Sequence, residues 1–595
     1  MDRNTIIGFL LIGLVLIIWM WLNAPPPAQE HNVGTDTVHV KKAPIDTTHA
    51  EDIPRIKSTA SEDTLGKYFS ALARGGEKTF TVESEKYKAT ISTRGGTIRS
   101  WILKEYKTWN QQSVDLINEE RGGDFNLLFS TADGKLINTK SLYFESNFKN
   151  GDVFNLSQEE SLKVDLILNI DGQSRIVKSL IFKNGDYSFD AVYRFEKMDK
   201  IVSNFEYQVT WESGIRYAEH NSIDESGSAM AAVFAGGELT EIDAKNFNEA
   251  VKQNISGRIS WVATRNKYFA LAMMPREGES QGAYLEGNRK HQPDNGAKED
   301  YSLALKMPFL GKPLEGSRFT VFLGPLDFRI IKHYNVGLDQ IMSLGAAWII
   351  RPISEYVMIP LFNFLRLFIP NYGFVIIVFS IIIKVVLYPL TKSSMTSMRK
   401  MQSLQPLMDE IRAKHKDDPQ KMNQQIMRLY KEYGVNPAGG CLPMILQMPI
   451  LYALWSVFRS TIELRQASFV WWIKDLSIPD VVTKLPFPIP IFNITEISGL
   501  SLLMGITMFV QQKMSVKDPR QKMMVWMMPL MMTLLFNGFP SGLNLYYFVF
   551  NVLSIGQQAW INKQHKDEPL RKVEEKKQHG GIMERLTRNL PKMKT

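Results

Sequence analysis

Two rhythms of apolar residues divide the chain. Predominantly apolar runs of helical character occupy Ile6–Leu22 and then, beyond residue 370, Tyr372–Leu390, Cys441–Val457, Ile497–Gln512, Met523–Phe539 and Leu543–Ile561. They are 16 to 19 residues long, at or just under the ~20 that span a typical hydrocarbon core, so local bilayer thinning or a hydrated notch is expected around them. Between Thr79 and Gly324 the period changes to two, as in Thr79–Val82, Leu162–Ile170, Tyr187–Phe195, Phe205–Trp211, Trp261–Met274 and Phe319–Leu323. Such alternation, broken by Gly-Gly, Asn-Gly-Asp and Asp-Gly turns, predicts antiparallel strands forming one large β-sandwich.

Two further stretches carry a helical period without being wholly apolar. Pro352–Ile369 mixes apolar residues with Glu355 and Arg366, which predicts an amphipathic helix lying in a membrane interface; a plain connector helix is the alternative. In 391–437, Met395, Met398, Met401, Leu404, Leu407 and Ile411 recur every three to four residues, as do Met422, Ile426, Leu429 and Tyr433. Asp418-Pro419 between the two sets reads as an N-cap followed by proline at the first helical position. A two-helix hairpin follows, its methionines either holding the helices together or offering an adaptable apolar surface.

Charge orients these elements. The chain carries +9 overall. The segment 391–437 has nine Lys/Arg against five Asp/Glu, 513–522 has four against one, and 562–595 has ten against five. Those three nets, +4, +3 and +5, make +12 and exceed the whole chain's charge, while 458–496 nets zero. Positive loops stay in the cytoplasm, which predicts six spans with both termini inside and residues ~23–350 outside. Ile6–Leu22 is expected to be an uncleaved signal anchor, because Leu22-Asn23-Ala24 lacks a small-x-small cleavage pattern. The expected organisation is therefore an anchor at 1–22, a polar linker at 23–75, a β-sandwich domain at 76–330, the interfacial helix at 352–369, a five-helix core at 372–561 and a basic tail at 562–595.

Within the spans the polar residues gather toward the cytoplasmic ends. Lys384 stands between Ile383 and Val385, six residues before Leu390, or ~9 Å at 1.5 Å per residue. A charge there is costly unless hydrated or paired; snorkelling to the interface is the simpler reading. Gln447, Thr507, Gln511, Asn551 and Gln557 lie at similar or inner depths, whereas the outer halves hold residues such as Leu454, Leu500, Phe536 and Tyr546. A pore would need polar lining at both ends. The pattern predicts a hydrophilic groove open to cytoplasm and lipid but shut outside. Met523, Met527 and Met531 with Met524, Met528 and Met532 add a methionine band along the fifth span.

One cysteine, Cys441, excludes a disulfide framework and any multi-cysteine metal centre within the chain. No G-x-x-x-x-G-K-[ST] motif is present, and no cofactor is expected. Glu219, His220 and Asp224 share one loop, but a solvated polar loop is the plainer reading than a glycan-active site. A channel or transporter with an outside binding domain is the principal alternative, although no obvious internal repeat supports it.

Several motifs resemble those of the YidC/Oxa/Alb membrane protein insertases. They are Tyr388-Pro389-Leu390-Thr391, the run Asn436 to Pro443 followed by Gln447-Met448-Pro449, Glu463-Leu464-Arg465-Gln466-Ala467, and Phe539-Pro540-Ser541-Gly542-Leu543 with Leu545-Tyr546-Tyr547. The layout is similar to the Gram-negative type, with its extra first span and periplasmic β-supersandwich. The resemblance implies a polytopic α-helical membrane protein of six transmembrane helices, five of them the insertase core, with a cytoplasmic helical hairpin. It implies insertion and folding of nascent membrane proteins in the inner membrane without nucleotide or small-molecule substrate, alone or with the Sec translocon, and ribosome contact through the basic tail. Lys384 falls where the family has an arginine facing a hydrophilic groove. Ser380, Met448, Leu451, Tyr546 and Tyr547 fall among the family's substrate-contacting positions, and Met524 and Met528 extend that expected slide.

Overall fold

In a computed structural model of the chain, residues 62–118, 121–157, 161–293, 296–346, 348–435, 442–489, 494–516, 522–564 and 572 are described. The expected anchor and most of the linker and basic tail lie outside these residues, as does Cys441. The chain divides into two compact units between Met342 and Ser343.

The first unit is built on three sheets of five, eight and six strands. In spatial order the eight-stranded sheet runs Glu238–Ile242, Met230–Ala235, Ile259–Arg265, Phe269–Glu277, Leu314–Pro325, Ser188–Glu196, Arg175–Lys183 and Ser161–Asn169, all neighbours antiparallel. Its inward faces meet the six-stranded sheet through Phe195 against Tyr207 and through the Tyr207 hydroxyl, which donates to Ser317 Oγ at 2.6 Å. The five-stranded sheet joins through Trp101, whose Nε1 donates to Leu323 O at 2.9 Å. Trp101, Trp211 and Trp261 are fully buried, Trp261 against Phe234 of its own sheet and the Val336 carbonyl. The run Trp261–Met274, which reads as one alternating stretch, is two strands: Asn266 turns the chain by accepting from the backbone of Tyr268 and Phe269 at 3.1 and 2.8 Å. An Asx turn of this kind needs neither glycine nor proline.

The second unit is helical. Its principal helices are α1 (Ile359–Arg366), α2 (Tyr372–Val386), α3 (Tyr388–Ser403), α4 (Gln405–Lys414), α5 (Pro419–Glu432), α6 (Leu442–Ser460), α7 (Gly499–Ser515), α8 (Lys522–Phe536) and α9 (Ser541–Gln564). Among the described residues no single helix is long and apolar enough to cross a membrane; Tyr372–Val386 and Thr391–Ser403 pass that test together, bent by 67°. The bend follows Pro389, which has no N–H to continue the ladder of α2. Asn371 caps α2, accepting from Gly373 N at 2.9 Å. Ser498 caps α7, accepting from Ser501 N at 3.1 Å.

Ahead of α1 the chain makes a helical turn at Ile350–Ile353 and a π-helical turn at Ser354–Met358. The wider turn lets the helix reach Pro360. Of the charges in this stretch, Arg351 Nε lies 2.7 Å from Glu355, and the Arg366 guanidinium covers the Tyr372 ring at 4.7 Å. Tyr356, Val357, Phe364, Leu367 and Phe368 are exposed.

Asp418 caps α5 by accepting from Lys421 N at 3.0 Å, with Pro419 at the first position. Leu404, Met408, Leu429, Tyr430 and Val435 form the core between α4 and α5, and Met401, Leu407, Ile411, Ile426 and Tyr433 pack on it. Met422 is buried, while Met395 and Met398 are half-buried. Met427, which stands outside the sequence period, is the exposed methionine of α5.

Candidate functional site

Helix α9 organises the interior of the second unit. It packs against α2 on one side and α7 on the other. Close approach of α7 to α8 is allowed by Gly505, where a Cβ would overlap the Thr533 hydroxyl. Small residues at such contacts let helix backbones meet in a setting where apolar burial alone gives little drive.

Lys384 lies in the last turn of α2, 7 % exposed. Its ammonium donates to Ser554 Oγ at 2.6 Å and sits 4.4 Å from the centre of the Phe550 ring. Ser554 in turn donates to Phe550 O at 2.7 Å. Among the described residues no carboxylate forms an ion pair with Lys384. The aromatic face and the C-terminal end of α2 are the remaining sources of negative potential. The side chain is held against α9 by these two contacts.

The polar path continues along α9. Asn551 Nδ2 approaches Thr507 Oγ1 of α7 at 3.5 Å, and Gln557 Nε2 donates to Thr391 Oγ1 of α3 at 3.1 Å. Asn551, Ser554 and Gln558 are buried. Gln447 on α6 and Gln511 on α7 are half-buried, and no hydrogen bond among the described residues joins either to Lys384. Next to Gln511, Gln512 Nε2 meets Met528 Sδ at 3.3 Å. At the inner rim, Arg399 donates to Ile561 O at 2.7 Å and Gln402 to Ser515 O, which ties α3 to the ends of α9 and α7.

The expected slide positions separate into two settings. Ser380 is buried and donates to Ile376 O at 2.7 Å. Tyr546 is buried between the Phe379 and Phe550 rings, and Tyr547 packs on Phe536. Both tyrosine hydroxyls are buried without a hydrogen-bond partner among the described residues. Met448 is 39 % exposed, and Leu451 and Met528 are half-buried. Of Met524 only the helix position is described.

Outside this polar interior the helices present apolar side chains. Leu502, Ile506 and Val510 form an exposed row at four-residue intervals on α7, whose other face buries Leu500, Ser501, Met504 and Gly505. On α8, Met523, Trp526, Met527 and Leu530 are exposed. Buried polar groups with an apolar exterior are the reverse of a water-soluble bundle.

Phe550 and Thr391 were absent from the residues expected to shape the site. Phe550 hides within an apolar run. Its signal is the four-residue step to Ser554, which puts both on one face of α9.

In the first unit, the loop with Glu219, His220 and Asp224 is structural. Asp224 pairs with Lys267 at 2.7 Å, Glu225 accepts from the backbone of Ala218 and Glu219, and His220 packs edge-on to Trp109. A separate buried carboxylate, Glu299, receives hydrogen bonds from Ser226 at 2.8 Å and Tyr301 at 2.6 Å, with Arg289 at 3.5 Å. Burial pushes its pKa up to about 7, against the lowering effect of those hydroxyls and the guanidinium. No group of three or more residues suited to hold a metal occurs among the described residues.

Comparison with known proteins gives two family matches: one described as 60Kd inner membrane protein over residues 364–568, and one described as YidC periplasmic domain over residues 79–355. The chain is 37% identical over 577 residues to the membrane protein insertase YidC of Chlorobaculum tepidum, covering 96% of each chain. It is 39% identical over 575 residues to that of Chlorobaculum parvum, again covering 96% of each. A solved structure described as an active YidC insertase with the first transmembrane domain resolved is 19% identical, with a TM-score of 0.35, and covers 82% of this chain and 93% of that one. A putative aldose 1-epimerase from Escherichia coli K12 is 10% identical, TM-score 0.26, over 42% of this chain and 99% of that one.

Proposed function

The chain belongs to the YidC family of membrane protein insertases, and from that premise we propose that it inserts nascent membrane proteins into the inner membrane through the polar interior centred on Lys384. The observation that supports this most is a lysine buried between apolar helices with a hydroxyl and an aromatic ring for company and no carboxylate among the described residues. Such a cation attracts an acidic group that arrives from elsewhere.

Six spans with both termini in the cytoplasm and the β domain in the periplasm follow from the positive-inside excess. In that arrangement α4 and α5 form a cytoplasmic hairpin. It and the basic tail receive the client, with ribosome and Sec translocon as partners at either side. A polar flank of the client enters beside Lys384, Asn551, Thr507, Gln447, Gln511 and Gln557. Exchange of water's hydrogen bonds for these groups lowers the barrier to carrying the flank through lipid. The apolar segment moves past Ser380, Met448, Leu451, Met524 and Met528 into the bilayer. Burial of apolar surface at ~25 cal/mol per Å² drives the step without nucleotide. No covalent chemistry is required.

Reconstituted proteoliposomes test this. Insertion of a client with an acidic flank should slow in Lys384→Ala and slow further in Lys384→Glu, while a client with a neutral flank is little affected. Wild-type rates for the acidic client in both variants would refute charge capture. Ion or solute flux in the absence of any client polypeptide would favour the channel reading.

A further inference from the structure

Between α6 and α7 the chain forms a two-stranded ribbon, Val481–Ile489 paired with Ile494–Ser498. It belongs to neither the groove nor the slide. We propose that this ribbon is a membrane anchor that lies in the outer interface of the bilayer and binds lipid through its apolar faces.

Its composition makes it a poor surface element in water. Val481, Val482 and Phe487 are 40 %, 46 % and 69 % exposed. A ribbon of two strands is marginal in water without a further apolar partner. Its only charges are Lys484 and Glu496. They stand directly opposite each other in the register, 2.8 Å apart, so the ribbon brings no unpaired charge to a lipid surface. Pro486 and Pro488 sit at alternate positions of the first strand. Both fall in the register irregularity between Lys484 and Ile489, where neither brings a backbone N–H that needs a partner. That lowers the cost of leaving this stretch in an apolar phase. It also leaves fewer donors for an added protein strand to pair with, which favours lipid over a protein partner.

The root of the ribbon fixes where it lies. Asp480 is buried, accepts from Leu500 N at 2.7 Å and from Trp472 Nε1 at 2.8 Å, and bonds the Ser498 hydroxyl. Asn537 donates to Glu496 O at 2.7 Å and accepts from Ser498 N at 2.9 Å. The ribbon is thereby clamped to the start of α7 and to the α8–α9 turn, the end of the unit opposite its positive loops. Trp471, 86 % exposed and stacked on Trp472, stands beside the root. Exposed tryptophans at this level are the usual companions of a membrane–water interface.

The proposal rests on the helical unit being embedded in a bilayer, and the test separates the two. Full-length protein carrying Cys441→Ser and one new cysteine is labelled with the environment-sensitive fluorophore NBD and reconstituted in phosphatidylethanolamine–phosphatidylglycerol vesicles. Phe487→Cys reports the ribbon, Val510→Cys the exposed row of α7, and Lys312→Cys an exposed site on the β unit; Val482→Cys replaces Phe487→Cys if that variant misfolds. At position 487 the emission should be blue-shifted relative to 312, shielded from iodide, and quenched more by lipids bearing a shallow nitroxide than by a deep one. Iodide access equal to that at 312 would overturn the proposal. Shielding from iodide and nitroxide lipids alike would overturn it too, in favour of a protein partner or a second copy. Loss of lipid quenching at 510 as well would remove the membrane reading on which it stands.

Discussion

Lys384 is the residue on which the proposed mechanism turns. A lysine in a membrane helix costs up to about 3 kcal/mol before compensation, the upper figure being for the helix centre, and one hydroxyl and one ring face are modest compensation. The balance predicts a charge retained at the expense of stability. Lys384→Met, apolar and similar in length, should therefore melt at or above the wild-type temperature in detergent while inserting acidic-flank clients more slowly. A large drop in melting temperature with unchanged insertion would make Lys384 a packing residue. In the sequence Lys384 stood out because every neighbour is apolar; its ring partner Phe550 could not, because apolar residues surround it too. In the β unit, Glu299 carries a second residue-level expectation. Its pKa rises from an ordinary 4.5 to about 7 on folding. Its protonated form therefore favours the folded state below about 4.5, and that contribution is lost as pH rises through 7, by roughly 3 kcal/mol. Thermal unfolding of Glu299→Gln against wild type between pH 5 and 8 should show a smaller decline with pH in the variant.

At the scale of elements, capping and periodicity were readable and long-range partners were not. Asp418-Pro419 foretold the start of α5, since a cap is a local bond. Asp418→Ala should cost ~1 kcal/mol, visible as faster amide exchange in 420–422. The helical period also picked out the apolar sides of α4 and α5, but it could not say which methionines pack between helices. Met401 and Met408 do, and Met427 is left outside. The Asn266 turn escaped notice because its signal is a single side chain inside an apolar run. Likewise the strands Val481–Ile489 and Ile494–Ser498 lie in a stretch whose sequence shows only a neutral net charge, its prolines obscuring the strand pattern. Contact of α7 with α8 depends on Gly505. Gly505→Ala should destabilise the full-length protein by ~1–3 kcal/mol through overpacking, and Thr533→Ala in the same chain should recover much of that loss. Additive losses in the double variant would disprove the contact.

Over the whole molecule, charge and hydropathy carry information that local patterns lack. The +12 of the three basic segments against a total of +9 is what the proposed division into cytoplasmic and outer parts rests on. The β unit and helical unit are separately compact. Deletion of Thr79–Pro325 should accordingly leave most insertion activity in proteoliposomes, whereas a glycan-active enzyme would lose its activity. The most direct test of the hydrophilic interior is accessibility of position 384 itself, as Lys384→Cys in a Cys441→Ser background. A membrane-impermeant thiol reagent should react with it in inverted vesicles and not in intact spheroplasts. Reaction from the periplasmic face, or from neither face, would contradict a polar interior open only to the cytoplasm.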